Sequence, residues 1–153
     1  MKFKKKITLI IFLFFLNSCG YQAIFSSNNA PFAIINIEAE GKKNLNDKIK
    51  NGLKIYRNIE NKSKFYELKI LSNQTKKITS KDKKGNAELF EIQISFKIKV
   101  YENNEIISQK SFVESFIYNN NSNKFNLKKY EKNIEKNLVT KILDKLIIFL
   151  HSI

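Results

Sequence analysis

The stretch FEIQISFKIKVY, residues 90–101, alternates apolar and polar side chains along its whole length. Successive side chains of an extended chain point to opposite faces, so the apolar residues at every second position from Phe90 to Val100 share one face. This pattern predicts a β-strand with one face in a hydrophobic core and the other in water.

Two further strand patterns flank this stretch. The Asn103-Asn104 pair tolerates the positive φ of a tight hairpin turn, so residues 105–118 are predicted to return as the next strand. On the other side, residues 65–79 have strand character, and the polar run TSKDKKGN, residues 79–86, predicts the turn that separates them from the central strand. Residues 90–101 therefore lie between two strand neighbours.

Helical spacing appears near both ends of this group of strands. Leu45, Ile49, Leu53 and Tyr56 predict a helix over residues 44–59 with Asn44 as its cap, preceded by a first strand over residues 32–40. A long closing helix, capped by Asn126, is predicted from these apolar positions: Leu127, Tyr130, Ile134, Leu138, Ile142, Leu146 and Phe149.

The predicted order is β-α-β-β-β-α, which is an α+β fold. A sheet with one apolar face must be covered, and two amphipathic helices supply the cover. We therefore expect a two-layer α/β sandwich in which two helices cover one face of a four-stranded, mostly antiparallel sheet. The chain of 153 residues is of a length that one hydrophobic core can serve.

The composition argues against nucleic acid as a partner, although the net charge is +14. Arg57 is the only arginine among 28 basic residues, whereas base-edge and phosphate recognition favours the rigid fork of arginine. The chain is also rich in Asn, Ile and Phe, which share A/T-rich codons with Lys. A genome that drifts toward A+T would produce this excess of lysine without selection for charge, so the positive charge, which could still help to attract an anionic partner, identifies none by itself.

Catalysis, metals and cofactors are not expected. The chain has 1 Cys, 1 His and 4 Gly, too few for a cysteine-based zinc site, a histidine-rich metal centre or a glycine-rich phosphate loop. The single histidine, His151, is expected to interact with the end of the closing helix. No converging pair is expected among the strand carboxylates Glu91, Glu102, Glu105 and Glu114.

The N-terminus has the pattern of a bacterial lipoprotein signal. Four lysines among residues 2–6 precede the apolar run ITLIIFLFFL, residues 7–16, which is too short to span a membrane stably. Leu16-Asn17-Ser18-Cys19 then matches a lipobox, which predicts S-diacylglycerol and an N-acyl chain such as palmitate on Cys19. We expect a signal peptide over residues 1–18, a lipidated tether over 19–31 and one domain over 32–153.

The sequence Cys19-Gly20-Tyr21-Gln22, followed by this order of elements, resembles the LPS-assembly lipoprotein (LptE) family over nearly the whole chain. Where members often carry a Pro-Leu-Tyr triplet, this chain has residues 23–25, AIF. The resemblance implies a lipid-anchored protein of the outer membrane that plugs and supports the LptD β-barrel and binds lipopolysaccharide. Gly20, in place of the Asp typical of inner-membrane retention, also favours the outer membrane.

Lysines are concentrated around the predicted turn between the second and third strands. At a hairpin tip they would lie within about one Debye length, ~8–10 Å, of one another and could meet lipid phosphates. The resemblance implies roles for Lys83 or Lys84, and for Lys124 before the closing helix. The candidate lipopolysaccharide-binding residues are Lys76, Lys77, Lys81, Lys83, Lys84 and Lys124. The other interpretation is that these lysines only solvate a loop.

Two other functions fit the sequence. One is an accessory lipoprotein of a lipid ABC transporter, and the other is a periplasmic chaperone or adhesion module. Apolar pairs along the fourth strand, such as Phe112-Val113 and Phe116-Ile117, place apolar groups on both of its faces. This pattern suggests contact with a partner, such as a barrel wall, on the side of the sheet without helices.

Overall fold

The computed structural model describes residues 30–57 and 59–153 of the chain. Its elements follow the predicted order, which confirms the α+β assignment. The predicted signal peptide, Cys19 and most of the tether lie outside the described residues. The elements are β1 (Phe32–Gly41), α1 (Lys43–Leu53), a 3₁₀ helix (Lys54–Tyr56), β2 (Lys64–Lys81), β3 (Ala87–Glu102), β4 (Glu105–Asn119) and α2 (Lys124–Ser152).

The four strands form one sheet in the order β1-β2-β3-β4. β1 and β2 are parallel and are connected through α1, whereas β2 with β3 and β3 with β4 pair antiparallel through short turns. The sheet is therefore mixed and mostly antiparallel, as predicted. β2, β3 and β4 all continue well past the end of β1, so the turn between β2 and β3 lies at one end of the sheet.

The hydrophobic core lies between the sheet and the two helices. On β3 the predicted alternation is confirmed, because the even-numbered side chains from Ile92 to Val100 are all buried. Leu45, Ile49 and Leu53 of α1 join this core, as do Leu138, Ile142 and Leu146 of α2. Ile148 of α2 points away from the core and is exposed.

The first helix differs from the prediction at both ends. It begins at Lys43 with Lys42 as its N-cap residue, and no side chain caps it. Asn44 is therefore not the cap; its side-chain amide instead donates a hydrogen bond to Glu135 of α2. The helix ends at Leu53 rather than Ile59, because the chain tightens into the 3₁₀ turn before reaching an isolated bridge between Arg57 and Ile34.

The closing helix begins earlier than predicted. It starts at Lys124, and its N-cap is Asn123, whose side chain accepts a hydrogen bond from the backbone N–H of Asn126 at 3.0 Å. The predicted cap, Asn126, is thus the donor at the third helical position. An asparagine cap commonly satisfies a free N–H of the first turn in this way.

The packed chain begins at Ala30, inside the predicted tether. Ala30 is buried, and the carbonyl of Pro31 accepts hydrogen bonds from the backbone N–H of Lys64 and the hydroxyl of Ser63. The start of β1 is therefore fixed beside the start of β2. Among the described residues, no helix is long and apolar enough to cross a membrane.

Candidate functional site

The turn between β2 and β3, residues 82–86, is held by Asp82. One carboxylate oxygen accepts hydrogen bonds from the backbone N–H groups of Lys84 at 2.9 Å and Asn86 at 2.8 Å, and the other accepts from the Asn86 side chain at 3.1 Å. These bonds, first of all the one from the Asn86 side chain, lower the pKa of Asp82. Gly85 completes the turn with a φ of 84°. The Asp82 carboxylate therefore accepts its hydrogen bonds from donors of the turn itself.

The lysines at this turn are exposed cations. We call residues 81–86 the lysine turn, because it carries Lys81, Lys83 and Lys84. The side chains of all three are exposed, and within the described residues none makes a hydrogen bond or ion pair. The structure therefore places these three candidates at the hairpin tip, as predicted. Their ammonium groups are available to an external anion.

Lys76 lies on the helix-covered face of β2, where its charge has a partner. Its Nζ lies 2.6 Å from Glu131 of α2 and 4.1 Å from the ring centroid of Phe90. The hydroxyl of Tyr118 donates to the same Glu131 oxygen at 2.7 Å. Burial raises the pKa of Glu131, but the hydrogen bonds from Lys76 and Tyr118 outweigh it and lower the pKa overall. Lys76 thus ties β2 to α2, away from the lysine turn.

Of the two remaining candidates, Lys77 pairs with a carboxylate of the sheet, whereas Lys124 lies near the lysine turn. Lys77 faces the side without helices and pairs with Glu91 at 2.8 Å, so its charge is balanced within the sheet. Lys124 begins α2 and donates to the Asn120 side chain at 3.2 Å. Asn120 in turn donates to the carbonyl of Ala87 at 2.8 Å. Lys124 therefore lies at the base of the hairpin, at the same end of the molecule as the lysine turn.

A groove that the sequence did not predict lies beside Lys124, between β4 and the first turns of α2. It has a volume of about 370 Å³. It continues into a second depression of about 390 Å³ that shares Phe116 and Tyr130. Phe125, at the start of α2, is also exposed. The alternation of β4 places Phe116 on the helix side, but only the packing of α2 shows that the helix leaves this side chain uncovered.

The side of the sheet without helices also exposes apolar groups. Val113 and Ile117 of β4 and Leu71 of β2 are exposed there, while Phe112 and Tyr118 are buried under α2. Apolar groups on both faces of β4, as predicted, are therefore confirmed. A shallow depression of about 330 Å³ between Leu71 and Val113 crosses this face.

Of the four carboxylates considered in the sequence, Glu91 and Glu114 are engaged in ion pairs, whereas Glu102 and Glu105 are opposite each other where β3 turns into β4. Glu91 pairs with Lys77 and Glu114 pairs with Lys145 of α2. His151 packs edge-on against Phe32 and Tyr56, with ring centroids 5.2 and 6.3 Å away, and burial lowers its pKa. Among residues 30–57 and 59–153, no three His, Cys, Asp or Glu side chains form a group that could hold a metal ion.

No protein-family model matches the sequence, and no curated protein is significantly similar to it. The fold is similar to that of rare lipoprotein B from Shewanella oneidensis, with a TM-score of 0.62, 11% identity, and coverage of 78% of this chain and 94% of that chain. It is also similar to an uncharacterized lipoprotein B from Nitrosomonas europaea, with a TM-score of 0.59, 17% identity, and coverage of 78% and 85%.

A minor lipoprotein from Acinetobacter baumannii is similar as well, with a TM-score of 0.59, 11% identity, and coverage of 78% and 90%. These three structures share the architecture of this chain over most of their own lengths. At such low identity the similarity extends to the fold alone. The chain therefore has an α+β fold that is also found in bacterial lipoproteins.

Proposed function

We propose that this protein is a non-enzymatic, lipid-anchored outer-membrane lipoprotein that supports an LptD-like β-barrel and binds lipopolysaccharide through its lysine turn. The acyl chains on Cys19 hold it at the periplasmic side of the outer membrane, and the domain occupies the interior of the barrel. It needs no cofactor beyond the covalent lipid. Moving a lipid requires an anchor, a rigid scaffold and a surface that recognises the lipid, but no covalent chemistry.

The observation that carries this proposal is the shared fold. The similar structures are of bacterial lipoproteins, and this chain carries the lipobox Leu16-Asn17-Ser18-Cys19 ahead of the domain with that fold. The fold and the N-terminal signal are independent features of the sequence. Both agree with the resemblance to the LptE family.

The geometry at the hairpin end supports lipopolysaccharide as the ligand. Lipid A combines phosphate groups with acyl chains, so a surface that binds it must offer cations next to apolar groups. Here the exposed ammonium groups of Lys81, Lys83 and Lys84 project from the same end as Lys124. The groove lined by Phe116 and Tyr130 lies beside Lys124. Lysine meets phosphate as a point charge, which suits a heterogeneous anionic surface.

The ligand is tested by changing Lys81, Lys83 and Lys84 together to Ser and measuring lipopolysaccharide binding at low salt. We expect binding to weaken at least about tenfold, since each lysine near an anionic lipid surface contributes about 1 kcal/mol. The deficit should shrink as salt is raised, because the lost contacts are exposed and screened.

A matched control changes three lysines away from the turn, Lys54, Lys97 and Lys99, to Ser. Within the described residues their side chains make no hydrogen bond or ion pair, and the change in net charge is the same. If both triple variants lose binding equally, net charge rather than the lysine turn is responsible. If neither loses binding, the turn is not the lipopolysaccharide site.

The partner is tested by crosslinking the acylated protein in the cells that make it, followed by detergent solubilisation and mass spectrometry. A large outer-membrane β-barrel as the dominant crosslinked protein supports the proposal. An inner-membrane ATPase with its permease would instead indicate an accessory lipoprotein of a lipid transporter. Recovery of neither would favour a periplasmic chaperone or adhesion module.

A further inference from the structure

The edges of the described sheet differ in how they are protected. An edge strand offers unpaired backbone N–H and C=O groups to any extended chain, and proteins block such edges with bulges, lysines or other segments. β1 has a register shift between Ile34 and Asn36, and a bridge from Arg57 covers it at Ile34. The part of β2 beyond β1 carries lysines and has register shifts between Ile78 and Lys81. Within the described residues, β4 has no comparable protection.

The outer edge of β4 is long and regular. Its pairing with β3 continues without a register shift over residues 108–119, which is about 40 Å of strand. In the described part of the chain its backbone pairs only with β3, so its outward N–H and C=O groups are unpaired. The two charged side chains of this stretch contact α2 instead of blocking the edge: the Nζ of Lys110 lies 5.1 Å from the ring centroid of Phe149, and Glu114 pairs with Lys145.

The side chains of β4 have the pattern of an interior strand. A strand that is covered on one face alternates apolar and polar residues, whereas a strand that is covered on both faces is apolar on both. Phe116 is 43% exposed on the helix side, and Val113 and Ile117 are 49% and 54% exposed on the other side. A further strand beside β4 would reduce the exposure of apolar groups on both faces.

Two depressions flank the middle of β4, one on each face. The depression on the helix side has a volume of about 370 Å³ and lies between Lys110, Lys145 and Ile148. The depression on the other side has a volume of about 330 Å³ and lies between Leu71 and Val113. Successive side chains of a strand point to opposite faces, so a segment paired with β4 here would direct neighbouring side chains into the two depressions in turn.

The middle of β4 is cationic on both faces. Residues 95–99 of β3 pair with residues 109–113 of β4, and these two stretches contain three lysines and no acidic residue. Lys97 and Lys99 face the side without helices, and Lys110 faces the helix side. Within the described residues none of the three makes an ion pair. A segment that complements this edge therefore carries carboxylates.

We propose that residues 109–115 of β4 bind an extended, acidic segment of a partner protein, which adds to the sheet as a fifth strand. Main-chain hydrogen bonds to β4 supply the affinity of such an added strand, and its alternate side chains supply the specificity. Its apolar side chains cover Val113, and its carboxylates meet Lys97, Lys99 and Lys110.

A partner protein complements this edge better than the chain itself does. Residues 20–29, which precede the domain, contain no acidic residue. A second copy would bring the same lysines and a net charge of +14, which repels. A domain inside a β-barrel would meet an extended segment in a loop or a chain end, because the strands of a closed barrel are already paired with one another. The inference does not depend on the lipid anchor or on the lysine turn.

The added strand is tested with a nine-residue peptide that alternates valine and glutamate. The peptide is added at millimolar concentration to the acylated, isotope-labelled protein in detergent, and amide exchange is followed residue by residue by NMR. We expect every second amide over residues 109–115 to exchange about tenfold more slowly, because only the outward N–H groups gain a partner. A ligand that lay on one face of the sheet would not produce this alternation.

Two control peptides separate backbone pairing from charge. One has methyl groups on two successive backbone nitrogens at its centre, which blocks both of its edges, and the other has lysine in place of glutamate. Neither should protect β4. If the methylated peptide protects β4 equally, no strand is added, and if the lysine peptide does so, the edge does not select an acidic segment. Either result overturns the proposal.

The lysines are tested with the variant Lys97→Gln with Lys110→Gln. Binding of the Val-Glu peptide should weaken about threefold to tenfold, since each exposed ion pair accounts for a few-fold in affinity. The matched control is Lys43→Gln with Lys54→Gln at the two ends of α1, which packs on β1, β2 and α2. Equal weakening in both variants would attribute binding to net charge and overturn the assignment to this edge.

Two further results would also overturn the proposal. One is that the Val-Glu peptide protects no amide of β4. The other is that the alternating protection appears without peptide as the protein concentration is raised, since a second copy of this chain would then occupy the edge.

Discussion

Gly41, the last residue of β1, is a position where the backbone requires glycine. Its φ is 96°, and a Cβ built there would lie 2.0 Å from the carbonyl oxygen of Ser72 on β2. Ser72 is itself fixed, because its hydroxyl accepts a hydrogen bond from the N–H of Lys42 at 2.9 Å. The crossing from β1 into α1 therefore depends on a close approach of two backbones, which only glycine permits.

We predict that Gly41→Ala lowers the free energy of unfolding by about 2–4 kcal/mol, measured by urea denaturation, because it adds a backbone clash to an unfavourable φ. Gly85→Ala is the control. Gly85 also has a positive φ, 84°, but nothing lies within 4 Å of its added Cβ. That variant should lose only about 1 kcal/mol. If the two variants lose the same unfolding free energy, the close approach of Gly41 to Ser72 is not the cause of the loss.

His151 makes the stability of the domain depend on pH. Burial against Phe32 and Tyr56 lowers its pKa from the ordinary value of 6.5, so the folded state binds its proton more weakly than the unfolded chain does. Its contribution to stability is complete above that value and is lost as the pH falls from there toward the folded pKa.

We predict that the unfolding free energy declines between pH 7.5 and pH 5.5, and that His151→Gln flattens this decline. Both are measured by urea denaturation at a series of pH values. His151 is the only histidine in the chain, so few other groups titrate in this window. If the unfolding free energy of the variant depends on pH as steeply as that of the unchanged protein, the pKa of His151 does not change on folding.

At the scale of elements, two adjacent lysines of β2 differ because successive side chains point to opposite faces. Lys76 points under α2, where it meets Glu131 and the ring of Phe90. Lys77 points to the other face, where it is more exposed and pairs with Glu91. Lys76, which is partly buried, joins β2 to α2, whereas Lys77 joins the neighbouring strands β2 and β3.

We predict that Lys76→Met costs about 1–2 kcal/mol of stability, because it leaves a half-buried carboxylate with one hydrogen bond fewer. The matched variant Lys77→Met should cost less than about 1 kcal/mol, as expected for an exposed ion pair. Thermal and urea denaturation measure both. If lipopolysaccharide binds at the lysine turn as proposed, Lys76→Met should leave that binding unchanged. A loss of binding without a loss of stability would instead indicate that Lys76 is one of the binding residues.

The sequence predicted the elements well and their ends less well, for a physical reason. Alternation on β3 and helical spacing on α2 depend on burial, which the apolar pattern records directly. The start of α1 depends on the bond between Lys42 and Ser72, residues far apart in the chain. The groove at Phe116 likewise depends on how α2 crosses β4. A local sequence pattern does not record contacts between residues that are far apart in the chain.

At the scale of the whole molecule, stability should be distributed unevenly along the long axis. Near the middle of the sheet, side chains of β2 and β3 such as Ile70 and Ile98 are buried under the helices. Beyond Gln74 most of β2 is exposed on both faces and lies past the end of β1, so this part of β2 is an edge strand that pairs only with β3, whereas β3 also pairs with β4. A hairpin with little apolar burial is marginally stable by itself.

We predict from this that amides of residues 76–89 exchange with solvent through local opening, well before those of residues 92–100. Hydrogen exchange followed by mass spectrometry measures the two rates in one experiment. If lipopolysaccharide binds at the lysine turn as proposed, adding it should slow exchange in the hairpin, because local opening that releases the ligand then costs the binding free energy as well. Uniform protection along β3 would mean that the hairpin is as rigid as the core, and that the lysine turn is presented to its ligand already fixed.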